Sequence, residues 1–223
     1  MKTVEYAPGR SADLFGSPSD PTVLLWHGMQ TDSRAALTPL AEAIAGHGLA
    51  VVVPDWNSHA ADGGRADLLG SAAFASENAT NADDLVVVGW SMGGLAAAGL
   101  AIQSDALGLR VGHTVCLAGA FTATDPISGG SLADGLGGGP TGAFTLLHGL
   151  HDDVVPIAVS GAFALRLGES GWPAEVVELD ADHGSIAGAR YDAANDRYEP
   201  SDDPSTLSIA AEVAERIAVA AGR

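Results

Sequence analysis

The strongest chemical signature in the sequence is the serine in Gly89-Trp90-Ser91-Met92-Gly93. It directly follows the apolar, β-branched stretch 85–88 and opens the small-residue stretch 92–103. A strand that turns at once into a helix holds its middle residue in a strained backbone, and the residues two before and two after must be very small. Gly89 and Gly93 meet that demand. Ser91 is then presented at a helix N-terminus, whose free N–H groups favour developing negative charge. A serine hydroxyl becomes a nucleophile at neutral pH only beside a base, and an imidazole base needs a carboxylate to fix its tautomer. Two candidates fill these roles, each directly after a strand-like run. His183 lies in Asp180-Ala181-Asp182-His183-Gly184, and Asp152 in His148-Gly149-Leu150-His151-Asp152-Asp153-Val154-Val155-Pro156. The chemistry such a set performs is acyl transfer through the serine.

The elements that would position these residues alternate along the chain. Six nearly continuous apolar runs, 23–26, 49–53, 85–88, 113–117, 144–147 and 176–179, read as parallel strands covered on both faces. Between them lie helical stretches: one with Thr38 as N-cap and Pro39 at N1, the stretch 92–103, one opening at Pro156 and running towards Gly168, and one from about Ser205 with Ile209, Val213 and Ile217 on one face. This alternation implies a single three-layer α/β/α domain over residues 1–223, built on a mainly parallel sheet of about six to seven strands. Residues 1–20 offer at most one short strand, near 3–6. Segment 122–142 is expected to be a Gly-rich flexible loop, and 188–205 an acidic loop before the last helix.

With these landmarks in order, the chain resembles the α/β-hydrolases over about residues 22–221. The resemblance rests on Leu25-Trp26-His27-Gly28 after the first parallel strand, the Ser91 turn, Asp152 in a G-x-x-D-x-x-V-P context, and Asp182-His183-Gly184. It implies Ser91 as nucleophile, His183 as general base and Asp152 as its orienting carboxylate. It also implies an oxyanion hole made by the backbone N–H groups of Met29 and Met92. The chain departs from the family in lacking a helical cap, a place taken only by 122–142, and in the weak strand signal at its N-terminus. It is most similar to the small, cap-poor dienelactone hydrolase and carboxylesterase branch, although a serine stands where dienelactone hydrolases use cysteine. The expected activity is hydrolysis of small or medium carboxylic esters without a cofactor. The alternatives are thioesterase, amidase, lactonase or acyltransferase chemistry on the same residues, or a non-catalytic ligand-binding member of the fold.

Several neighbouring residues compete for these roles. Asp153 rivals Asp152, but the spacing to Val155-Pro156 favours Asp152. Asp180 and Asp182 read as turn residues. His148, His151, Asp152 and Asp153 mimic a metal cluster, yet His148 ends a strand and Gly149 breaks the geometry, so no metal site is expected and His148 reads as a hydrogen-bonded core residue. His27 is expected to organise the oxyanion loop and, with Trp56 and His59, to line the substrate pocket. His47 and His113 read as structural.

The balance of 28 Asp and Glu against 10 Lys and Arg gives a net charge of −18, which argues against nucleic-acid or anionic-membrane partners and favours a neutral or cationic small-molecule substrate. Cys116 is the single cysteine and lies in an apolar run, so a buried inert thiol, no disulfide framework and a cytoplasmic setting are expected. The stretch 1–21 has no apolar h-region and no 18 consecutive residues are apolar, so neither a leader nor a membrane span is expected. Composition says nothing of the oligomeric state.

Overall fold

A run such as Thr22-Val23-Leu24-Leu25-Trp26 sends alternate side chains to opposite faces, so burying all of them requires helices on both sides of the sheet. The computed structural model, which describes residues 1–79 and 85–223, shows that arrangement. In chain order it contains β1 (Lys2–Ala7), β2 (Arg10–Phe15), β3 (Thr22–Trp26), α1 (Thr38–Gly46), β4 (Ala50–Pro54), α2 (Arg65–Asn78), β5 (Leu85–Trp90), α3 (Met92–Leu107), β6 (Val111–Leu117), β7 (Ala143–Gly149), α4 (Ala158–Glu169), β8 (Ala174–Leu179), β9 (Ala189–Asp192), β10 (Arg197–Pro200) and α5 (Pro204–Ala220). One eight-stranded sheet has the order β1-β2-β4-β3-β5-β6-β7-β8. The strands from β4 to β8 pair in parallel, and β2 joins β4 antiparallel. This is the three-layer α/β-hydrolase fold.

Each face of the sheet has its own core. Val23, Leu25, Val51, Val88, Val115 and Leu117 pack under α1 and α5, while Leu24, Trp26, Val52, Val87, Cys116 and Leu146 pack under α2, α3 and α4. Cys116 is fully buried, its Sγ lies 3.3 Å from the Gly94 carbonyl, and burial pushes its thiol far above the ordinary range. Among the described residues no helix is long and apolar enough to cross a membrane.

The sheet corrects the reading of the N-terminus. Residues 1–20 form a complete antiparallel hairpin, β1 with β2, rather than one short strand. Strand β2 buries Asp13, a residue that argues against a strand in the sequence alone. Arg34 reconciles the two, because its Nε donates to Asp13 at 2.9 Å and its Nη1 pairs with Asp55. The eight strands therefore exceed the expected six to seven. Helix α2 was likewise not anticipated: it buries only Leu68, Ser71, Ala72 and Ala75, too small an apolar face to mark a helix. Helix α1 begins at Thr38 without a side-chain cap, so Thr38 is its first residue and not its N-cap.

The two expected loops are also built otherwise. Residues 188–205 contain the hairpin β9–β10, in which Tyr191 faces Tyr198, and its turn acids accept hydrogen bonds from Ala194 N–H and Asn195. Segment 122–142 carries a 3-10 helix, Leu132–Gly138, with Leu132 and Leu136 buried. Its anchor is Asp125, fully buried, which accepts from the N–H groups of Ile127 and Ser128, each at 2.9 Å, and from Gln103 Nε2 at 3.3 Å.

Candidate active site

Ser91 sits between β5 and α3 with φ 57° and ψ −117°, a conformation that a side chain tolerates only under strain. Packing enforces it. A Cβ on Gly89 would lie 2.0 Å from the Gly93 carbonyl oxygen, and one on Gly93 would lie 2.4 Å from that of His27. The Ser91 N–H donates to Leu117 O at 2.8 Å, and its own carbonyl accepts from Ala120 N–H at 3.1 Å. Its hydroxyl does not cap α3, so the side chain is not engaged by its own helix. Met92 is the first residue of α3, and its N–H is one of the donors that an α-helix leaves without a carbonyl partner.

The carboxyl ends of β7 and β8 bring Asp152 and His183 to the same sheet edge. His183 Nδ1 donates to Asp152 Oδ2 at 2.7 Å, with both side chains almost wholly buried. That bond places the second ring nitrogen's lone pair free to accept a proton. Asp152 Oδ1 accepts from the N–H groups of Val154, at 2.9 Å, and Val155, at 2.8 Å. Burial raises the affinity of Asp152 for a proton, but the His183 hydrogen bond, the Val155 and Val154 N–H groups and the His183 charge outweigh it and hold the carboxyl below its ordinary value. The His183 carbonyl accepts from Trp90 Nε1 at 2.7 Å, which ties His183 directly to the residue before Ser91. Hydrogen bonds place the base beside the nucleophile strand, but none of those described joins the Ser91 hydroxyl to the imidazole. In unliganded active sites such bonds are commonly long and close when substrate binds.

The loop after β3 completes the site. A Cβ on Gly28 would touch the Ser91 Cβ at 3.4 Å, so the loop at Gly28 runs against Ser91. His27 holds that loop: Nδ1–H donates to the Gly28 carbonyl at 2.8 Å, and Nε2 accepts from the Ser33 and Trp56 N–H groups, each at 3.2 Å. With both nitrogens committed in this way the ring must be neutral. Burial, reinforced by Arg34 and Arg10, lowers its pKa to about 4, against the opposing pull of the Gly28 carbonyl. Ser58 Oγ donates to the Met29 carbonyl.

Not every residue proposed for substrate contact can make it. His27 and Trp56 are fully buried and stacked on each other, and the Trp56 Nε1–H donates to the His27 carbonyl at 3.1 Å, so both support the loop and neither lines a pocket. His59 is exposed on the following loop, where its N–H donates to Asn57 Oδ1. Asp153 points to solvent, and Asp182 accepts from Gly184 and Ser185 N–H groups within its turn. His148 is fully buried, bonded to Ser160 Oγ at 2.7 Å and Val155 O at 2.8 Å, and lies 3.5 Å from Asp152 Oδ2. Among the described residues no group of three or more His, Cys, Asp or Glu is placed to hold a metal ion.

Two residues that the sequence did not single out join these parts. Tyr198, on β10, packs edge-on to Trp90 with ring centroids 4.9 Å apart and lies 5.9 Å from the His183 ring. Its backbone N–H donates to Gln30 Oε1 at 2.8 Å, latching the hairpin to the residue after Met29. Burial, with Asp152, Asp153 and Asp182 adding, pushes the Tyr198 phenol up to about 12, so it stays protonated at neutral pH. No sequence signal pointed to either residue, because the contact spans 168 positions.

No protein-family model and no curated protein matches the chain. Solved structures do match it, at low identity. An esterase from the planctomycete Thermogutta terrifontis, solved with propionate bound, is 16% identical with a TM-score of 0.76, over 99% of this chain and 94% of that one. Esterase B from Lactobacillus rhamnosis, solved in an inhibited form, is 14% identical with a TM-score of 0.73, over 100% and 87%. A truncated carbohydrate esterase from gut microbiota is 12% identical with a TM-score of 0.73, over 100% and 96%. The chain is thus similar in fold, over nearly its whole length, to esterases of the α/β-hydrolase fold.

Proposed function

We propose that the protein is a serine hydrolase that cleaves small or medium carboxylic esters through an acyl-enzyme, the chain acting as one domain with segment 122–142 in the cap position. The observation that carries this reading is the 2.7 Å bond from His183 Nδ1 to Asp152, formed at the same sheet edge as Ser91 on its strained turn. His183 takes the hydroxyl proton as Ser91 Oγ bonds to the ester carbonyl carbon. The carbonyl oxygen, now negative, accepts from the Met29 and Met92 N–H groups. As the carbon–oxygen ester bond breaks, His183 gives its proton to the departing alcohol. Water, deprotonated in turn by His183, then cleaves the acyl-serine to release the acid and return the proton to Ser91.

The structural neighbours support this choice of reaction. The Thermogutta esterase has been solved with propionate and with butyrate bound, and also phosphorylated by paraoxon. The cytoplasmic setting inferred from the single buried thiol fits a soluble small-molecule substrate. Thioester, amide or lactone cleavage would use the same steps with a different leaving group.

The test is labelling by a fluorophosphonate, read by peptide mass spectrometry, together with turnover of 4-nitrophenyl acetate. The adduct is expected on Ser91 alone, and Ser91→Ala is expected to lower turnover by at least about 10³-fold. Absence of the adduct from folded protein, or unchanged turnover in Ser91→Ala, overturns the reading.

A further inference from the structure

A cavity of about 560 Å³ lies between the segment 121–136 and α4, and nothing in the mechanism above uses it. Its apolar wall includes Phe121, Leu132, Val159 and Phe163, with the Phe121 and Phe163 rings stacked at 4.1 Å. Both walls start at the candidate site. Phe121 directly follows Ala120, whose N–H bonds the Ser91 carbonyl, and α4 follows the turn that holds Asp152. The volume suits a small organic ligand.

The far end of the cavity is bordered by Arg166. Its guanidinium makes no hydrogen bond or ion pair with any described residue, not even with Glu169 one helical turn away on α4. Arg190 and Arg223 likewise have no ion pair with a described residue, but neither lines the cavity. Arg10, Arg34, Arg197 and Arg216 are each paired with a carboxylate. Ala158 and Arg166 both line the cavity, and eight residues of helix separate them by about 12 Å. A cavity whose wall begins at Phe121, one residue after the Ala120 contact to Ser91, and which a planar cation borders, matches an acyl chain that ends in a carboxylate.

We infer that this cavity is an acyl subsite and that Arg166 selects half-esters of dicarboxylic acids, the carboxylate end lying on the guanidinium while the ester carbonyl lies at Ser91; the local cation thus reverses, at this one site, the preference for neutral or cationic substrates expected from the net charge of −18. The inference rests on the hydrolase reading, yet it is tested by binding as well as by turnover. In the Ser91→Ala background, ligand-observed NMR compares monomethyl adipate with its neutral counterpart methyl hexanoate. The anion is expected to bind about threefold more tightly, the modest gain of a solvent-exposed ion pair, and Arg166→Gln is expected to abolish the difference. With Ser91 present, mono-4-nitrophenyl adipate is expected to exceed 4-nitrophenyl hexanoate about threefold in kcat/KM. Arg166→Gln should remove that advantage and leave the hexanoate ester unchanged, which also shows that the variant folds. Equal binding of the two methyl esters, or an equal loss on both substrates in Arg166→Gln, overturns the subsite. Selective binding without turnover of either ester would retain the subsite and overturn the hydrolase reading instead.

Discussion

His27 gives the sharpest test of how the oxyanion loop is held. Its Nε2 accepts two backbone N–H groups and its Nδ1–H is spent on the Gly28 carbonyl. Protonation would aim an N–H at two other N–H groups inside a fully buried site. The folded-state pKa is therefore lowered to about 4, from 6.5 for a free histidine. Because the unfolded chain takes up this proton more readily than the folded one, stability is intact above pH 6.5 and is lost as pH falls towards 4. The gap between 6.5 and about 4 corresponds to about 3 kcal/mol, of which about 2 kcal/mol is lost by pH 5. Other carboxylates also titrate in this range, so the quantity to measure is a difference. Urea unfolding of the wild type and His27→Gln at pH 8 and pH 5 isolates it, since glutamine can still accept a hydrogen bond but does not titrate. Wild type should lose about 2 kcal/mol more than the variant between the two pH values. Parallel losses would refute the assignment of a neutral, doubly accepting His27.

Two further outcomes follow from other parts of the structure. In Asp152→Asn the buried partner no longer fixes Nδ1 as the protonated nitrogen, so kcat on 4-nitrophenyl acetate should fall by about 10⁴-fold while the melting temperature changes little; a loss below tenfold would remove Asp152 from the mechanism. Asp125→Ala should release the segment around the 3-10 helix Leu132–Gly138 at a cost of about 2–3 kcal/mol, seen as roughly 30- to 150-fold faster proteolysis within 122–142; unchanged cleavage would show that Asp125 is not its anchor.

The parallel strands were readable because a buried strand writes its whole environment into its own residues: β3 and β5 are apolar on both faces and their neighbours add nothing needed to recognise them. The same locality exposed the Ser91 turn, where Gly89 and Gly93 answer a steric demand four residues wide. What was unreadable depends on partners far along the chain. Asp13 makes β2 look like a loop until Arg34 is placed beside it. The acids of 188–205 suggest a solvated loop, although Asp192 ties a tight turn between two tyrosine-bearing strands. Glycines at 129–142 conceal how firmly Asp125 pins that segment. Trp56 and His59 follow a strand end, which is where substrate contacts are sought, but Trp56 was needed to cover His27. Gln30 and Tyr198 carry no local signature at all.

The Trp90 to His183 bond links residues 93 positions apart, and the Gln30 to Tyr198 bond links residues 168 apart. Such contacts close long loops, and in folding, distant pairings of this kind are slow to form. The nucleophile, the base and the oxyanion loop therefore belong to no fragment that could fold early by itself. Recovery of turnover during refolding reports that β3, β5, β7 and β8 have assembled and that the separate hairpin carrying Tyr198 has docked on them, whereas recovery of helical signal reports only the parts.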